Sequence, residues 1–152
     1  MRNILLHMAI AIQRPFFRDR SVRVDFPIVE PDGTRLGVEG IWCKRLGFDI
    51  FEVDNVPFAV RGISIQYIVE CGWSATGWGF IEKRINGGFG CAQVYAVQSN
   101  LRELLEEVAK ELDVRYEFTP ENRAAVAAVP EVMDQLVSRL SRFSDVTIEV
   151  TA

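Results

Sequence analysis

The groups in this chain that could move a proton, attack a substrate or hold a metal are few, and their spacing is restrictive. The single histidine, His7, lies in the first dozen residues, MRNILLHMAIAI. A Ser-His-Asp or Cys-His arrangement needs a histidine held rigidly beside its nucleophile, and an apolar leader offers no such frame. Cys43, Cys71 and Cys91 have no Cys-x-x-Cys spacing, so they do not make a zinc pattern with that remote histidine. The Gly-rich stretches 72–79 and 87–90 lack a following Lys-Ser or Lys-Thr and a strand-to-helix passage, so neither reads as a phosphate cradle. No catalytic, cofactor-binding or metal-ligating residue is assigned, and no cofactor is expected.

Two groups of side chains remain. Asp49, Glu52, Asp54, Glu70 and Glu82 fall on neighbouring strand-like runs and corners, where two of them could converge as an acid–base pair. Set against this is a solvated rim of ordinary surface carboxylates, with Asp54 capping its own turn. The aromatics Trp42, Tyr67, Trp73 and Trp78 could line a ligand pocket or a partner patch. Trp42 sits inside an alternating strand and is expected in the core. Trp73 and Trp78 flank a Gly-rich loop with less core to enter, so with Tyr67 they form the candidate partner or ligand surface.

These residues must be positioned by one ordinary domain or two very small ones, because the chain has 152 residues, 49% of them hydrophobic. Three cysteines are too few for a disulfide framework; each lies in or beside a strand-like run, where a reduced thiol acts as a small hydrophobe, and this points to the cytoplasm. The net charge of −4 is uneven: residues 1–23 carry five Arg against Asp19, leaving −8 on the remainder. An acidic body does not suit the phosphate backbone, so no nucleic acid partner is expected. The leader is too short to span a bilayer and too interrupted for a signal peptide, so no membrane role is expected. It reads as an extra strand, a short helix or a disordered arm, with residues 1–17 dispensable for folding.

From Ser21 the period-2 alternation of strands takes over. Val22 to Ile28 forms a strand put at an edge by Pro27. Pro31-Asp32-Gly33 turns the chain, and Arg35–Arg45 makes one or two strands. Phe48–Val53 and Phe58–Val60 are further strands, and 72–79 is a loop. Trp78–Ile85 and Phe89–Val97 are expected to pair as a hairpin through Asn86-Gly87-Gly88. From Phe89 the order is β-α-β-β-α-β, with helices from about Leu101 (capping pair Asn100 and Glu103) and from Pro130. The nearly uncharged runs 89–97 and 124–129 belong in the centre of the sheet and the other two at its edges. The fold class is α+β: a β-rich half (21–86), a small barrel or coiled sheet, followed by a ferredoxin-like half (87–152) with two helices on one face, after an N-terminal extension (1–20). The apolar sheet face away from the helices should be covered by the β-rich half or by a second copy.

Ile41-Trp42, Leu46-Gly47, Asn55-Val56-Pro57-Phe58 and Gly62-Ile63-Ser64 followed by Ile68-Val69-Glu70 carry a resemblance to an uncharacterised bacterial family, domain of unknown function 4265. It extends over roughly residues 20–150. Where that family has a Gly-Asp pair, this chain has Gln66-Tyr67, so no role resting on that Asp transfers. The resemblance implies a fold and a bacterial origin but no activity.

The expected function is therefore a non-enzymatic cytoplasmic module, monomer or homodimer, that binds a protein or a small ligand. One version is a bacterial immunity protein whose acidic body neutralises a basic toxin. The alternative is a small enzyme that uses a carboxylate pair.

Overall fold

A computed structural model describes residues 2–13 and 20–152. It contains helix α1 (Arg2–Gln13), strands β1 (Ser21–Val29), β2 (Arg35–Arg45), β3 (Ile50–Val53), β4 (Ile68–Ser74), β5 (Gly77–Ile85) and β6 (Gly90–Ala96), helix α2 (Leu101–Ala109), strands β7 (Arg115–Thr119) and β8 (Arg123–Ala128), helix α3 (Pro130–Leu140) and strand β9 (Val146–Val150). The chain is mostly β, with one five-stranded and one four-stranded sheet.

In the first sheet each strand pairs antiparallel with the next, and β5 returns to β1 through two parallel pairs, Val24–Trp78 and Asp25–Gly79. Its inward residues, among them Val24, Phe26, Ile41, Cys43, Phe51, Val53, Val69 and Cys71, form one buried cluster. Gly40, opposite Asp25 in the ladder, leaves room for the Arg23 guanidinium to lie across β2.

The second sheet runs β7-β8-β6-β9, all antiparallel, with β6, which has no charged residue, and β8, whose one charge is Arg123 at its first position, in the middle. Ala92, Val94 and Ala96 of β6 and Ala124, Val126 and Ala128 of β8 share a core with Leu101, Leu105 and Val108 of α2 and Met133, Leu136 and Leu140 of α3. Both helices therefore cover the same face, and small alanines let them approach closely. Asn100 caps α2 by accepting from the Glu103 N–H, and Pro130 starts α3, where its missing donor costs nothing. On the other face Cys91, Ala125 and Ala127 lie under Val56 and Ile65 from the segment between β3 and β4.

Several expectations are corrected. β5 and β6 lie in different sheets, so Asn86-Gly87-Gly88 is a link and not a hairpin turn. Its glycines serve the crossing: a Cβ on Gly87 would stand 2.5 Å from the Gln66 carbonyl, and Gly88 has φ 83°. The stretch 72–79 is itself a hairpin, β4 turning into β5 at Ala75-Thr76. Arg35–Arg45 is one strand, and Phe58–Val60 is not a strand at all. Glu39 holds that segment instead, its carboxylate accepting the N–H groups of Phe58, Ala59 and Val60 at 2.7, 2.8 and 3.1 Å. In the leader, residues 2–13 are helical, and Leu6 and Ile10 pack against Leu46, Ile50 and Ile68. The Arg-rich arm expected at its end falls at residues 14–19, outside the described residues.

Candidate aromatic binding site

The hairpin between β4 and β5 builds the one exposed aromatic cluster that joins two sequence-predicted residues. Gly77, at φ 111°, occupies a conformation that suits only glycine, and the Ser74 hydroxyl lies 3.1 Å from that of Thr76. This tight turn sets Trp73 directly opposite Trp78 in the ladder, where cross-strand side chains meet. Their rings stand edge to face with centroids 5.3 Å apart. Trp78 also leans on the buried Phe51 ring at 5.0 Å, whereas Trp73 is 70% exposed.

Arg45 completes the cluster. Its guanidinium lies 4.7 Å from the Trp78 ring centre and 5.8 Å from that of Phe51. It is held there by donating from Nε to the Gly47 carbonyl at 2.9 Å and from Nη2 to that of Phe48 at 2.7 Å. Burial lowers the Arg45 pKa, and Arg20 lowers it further while Asp49 opposes both. An exposed indole standing edge to face on a second one, which itself carries a guanidinium over its ring, can hold an apolar or aromatic group.

The other candidates lie elsewhere. Tyr67 is only 3% exposed, packed with Val60 and Ile63 in the core of the first sheet, so it is not part of the Trp73–Trp78 surface. Burial raises its pKa, opposed by a hydrogen bond with Asn86. Trp42, expected in the core, is 54% exposed. The inward set on β2 is Ile41 and Cys43, so alternation sends Trp42 outward. That same parity, extended to residue 45, was the available signal for Arg45.

Of the five candidate carboxylates, Asp54, Glu70 and Glu82 are tied to cations, while Asp49 and Glu52 lie just before and on β3. Glu70 and Glu82 face each other in the ladder, and both engage Arg84. Asp54 pairs with Lys44 at 2.8 Å instead of capping its turn; Asn55 does the local work, accepting the Trp42 N–H at 2.7 Å. Asp54 edges a cleft of about 160 Å³ with Glu117, Arg115 and Tyr116. There Glu117 accepts the Val56 N–H at 3.3 Å.

Thiol chemistry is disfavoured by position. All three cysteines are free and buried, and burial pushes Cys71 up to about 12 and Cys91 up to about 11, with Cys43 higher still. Such thiols are protonated at neutral pH and are poor nucleophiles or metal ligands. Among the described residues, no three His, Cys, Asp or Glu side chains gather as a metal site. None of their helices is long and apolar enough to cross a membrane.

Comparison with known proteins adds a fold and a family. The structure of a hypothetical protein from Neisseria gonorrhoeae superposes with a TM-score of 0.73 at 11% identity, covering 89% of this chain and 96% of its own. At that identity the likeness speaks for the fold alone. No curated protein matches the chain significantly. The family model for a domain of unknown function, DUF4265, matches residues 39–144, a span that contains β3 to β8, both later helices and the Trp73–Trp78 hairpin, and the chain accordingly belongs to that family.

Proposed function

We propose that this protein is a non-enzymatic binding module of the cytoplasm, and that it engages a partner protein through Trp73, Trp78 and Arg45. The observation that carries this reading is Trp73, a large ring held in fixed geometry against its neighbour while 70% exposed. Exposed aromatics backed by an arginine are the residue types that dominate interface energetics. The exposed ring favours a partner segment that sets an apolar or aromatic residue against it. The three unpaired thiols support a reducing compartment. We read the five-stranded sheet as a small barrel, supported by the return of β5 to β1, and the rest as a ferredoxin-like half, supported by the order β7-β8-β6-β9.

The test is a comparative pull-down from the native host with the full chain and its Trp73→Ala variant at equal loading. A partner retained by the wild type and depleted several-fold on the variant is the expected result. Identical sets of retained proteins would refute the role of this surface.

A further inference from the structure

The first sheet is incompletely sealed. The β1–β5 pairing ends at Asp25 and Gly79, and two residues later Pro27 has no N–H with which to extend it. Where the strands part there is a cleft of about 260 Å³ between Pro27 and Val29, with Val60, Ile63 and Phe80 beneath it and Lys83 at its mouth. Val60 and Ile63 are buried members of the sheet's own core, so the cleft opens onto apolar interior.

Lys83 is there because β5 is bulged twice. The register runs Trp73–Trp78, Cys71–Phe80, Glu70–Glu82, Val69–Lys83 and Ile68–Ile85, leaving Ile81 and Arg84 without opposite numbers. Strict alternation from Trp78 and Phe80 would bring Glu82 inward. The extra residue at Ile81 instead puts Lys83 on the face of its partner Val69, which is fully buried. The Lys83 ammonium emerges 5.3 Å from the Tyr67 ring centre and 3.5 Å from the Gly62 carbonyl. Among the described residues no carboxylate lies within ion-pair distance of Lys83, whereas the other cation on the cleft, Arg61, is engaged by Glu149.

We propose that this cleft binds a small monocarboxylate with an apolar tail, its carboxylate on Lys83 and its tail over Phe80 and Ile63. The one cation on the cleft without a carboxylate partner among the described residues matches a single negative charge. The volume is just below the usual range for drug-sized ligands, which suits a short chain or one ring.

The test uses octanoate, 1-octanol and inorganic phosphate as probes of the full chain, followed by amide shifts in NMR. Octanoate should bind more tightly than octanol and shift residues 60–63 and 80–83, while phosphate should not. Lys83→Gln should weaken octanoate about fivefold, the scale of a partly exposed ion pair, and leave octanol unchanged. Val29→Trp, a substitution at the rim that fills the cleft without disturbing the core, should abolish binding of both. The proposal is overturned by equal affinities for octanoate and octanol, by octanoate binding indifferent to both variants, by phosphate binding at the same residues, or by no shifts up to about 10 mM, where affinity is too weak to constitute a site. Because neither substitution touches Trp73 or Trp78, failure here leaves the partner-binding reading standing, and the reverse also holds.

Discussion

If the Trp73–Trp78–Arg45 cluster is a binding surface resting on a structural ring, truncating its two indoles should have unequal consequences. Trp73 is 70% exposed, so Trp73→Ala forfeits little burial and mainly the edge-to-face contact, about 1 kcal/mol. Trp78 is half-buried and touches Phe51, Trp73 and Arg45. Full truncation of a core Trp costs about 3–5 kcal/mol, so half that burial plus the lost ring contacts gives about 2–3 kcal/mol for Trp78→Ala. With an m-value of about 2 kcal/mol per molar urea, the midpoints should fall by about 0.5 M and about 1–1.5 M. Urea unfolding followed by far-ultraviolet circular dichroism reads both shifts without depending on the removed fluorophore. A cycle combining Arg45→Gln with Trp78→Ala should return a coupling of about 1 kcal/mol for a cation over an indole that is partly shielded from water. Equal costs for the two truncations would make Trp73 a structural prop and refute its role as a surface residue. A coupling indistinguishable from zero would remove Arg45 from the cluster.

Four further outcomes are expected. Val94 is fully buried beneath both helices, so Val94→Arg should lose about 2 kcal/mol of apolar burial and several more for an unpaired charge, enough to prevent folding, whereas Tyr95→Arg, on the opposite face, should cost about 1–2 kcal/mol for its contacts with Arg123 and Gln93; circular dichroism and size exclusion of the two variants distinguish the faces. Asp145 accepts the Ser99 N–H at 2.6 Å, the Ser99 hydroxyl at 2.7 Å and the Gln98 N–H at 2.8 Å, which lowers its pKa from 3.8 to about 2. A lowered folded-state pKa stabilises above the unfolded value and is lost as pH falls, so the stability gap between wild type and Asp145→Ala should be full above about pH 4 and close towards pH 2 in acid melts. Leu6→Ala with Ile10→Ala should cost about 2 kcal/mol and lower Tm by about 4–8 °C in a scanning melt, and an unchanged Tm would mean that α1 does not dock on Leu46, Ile50 and Ile68. A thiol reagent should modify Cys43, Cys71 and Cys91 promptly in denaturant and at least tenfold more slowly in the native protein, and equal rates would contradict their burial.

What could be read in the sequence follows the scale of the forces involved. The second sheet was legible because its helices carry their own signals: the Asn100 cap, Pro130 at a first turn, and leucines at helical spacing. The central places of β6 and β8 followed from the near absence of charge in 89–97 and 124–129, since a strand flanked on both edges and covered on both faces leaves little room for solvated groups, and Arg123, at the first position of β8, lies over the Tyr95 ring. The first sheet was legible only locally. Glycine-rich stretches 72–79 and 86–88 have similar composition, yet one closes a hairpin and the other crosses between sheets. The difference lies in a tertiary contact, the approach of Gly87 to Gln66, which no local pattern reports. Trp42 was misplaced because its position in an alternating strand was read without its parity, although Ile41 and Cys43 beside it already mark the inward set.

Register also decides the chemistry of the inward face, and here alternation misleads for a definite reason. Counting by twos from Trp78 carries a reader through Phe80 to Glu82 and assigns a buried carboxylate to the sheet, a costly placement without a cation beside it. The bulge at Ile81 avoids that cost by turning Glu82 outward to Arg84 and bringing in Lys83, whose four-carbon stem can lie along apolar neighbours while its ammonium reaches water. The inward set of β5 and β2 therefore carries a long cationic side chain near each end of β5, Arg45 over Trp78 near its start and Lys83 over Tyr67 near its finish, with Phe80 between them. Such stems can lie along apolar neighbours while the charge is carried to the edge of the sheet, Lys83 at the cleft and Arg45 at the Gly47 and Phe48 carbonyls. The cleft beside Lys83, where the β1–β5 pairing ends, is accordingly a place where that inward face meets its surroundings.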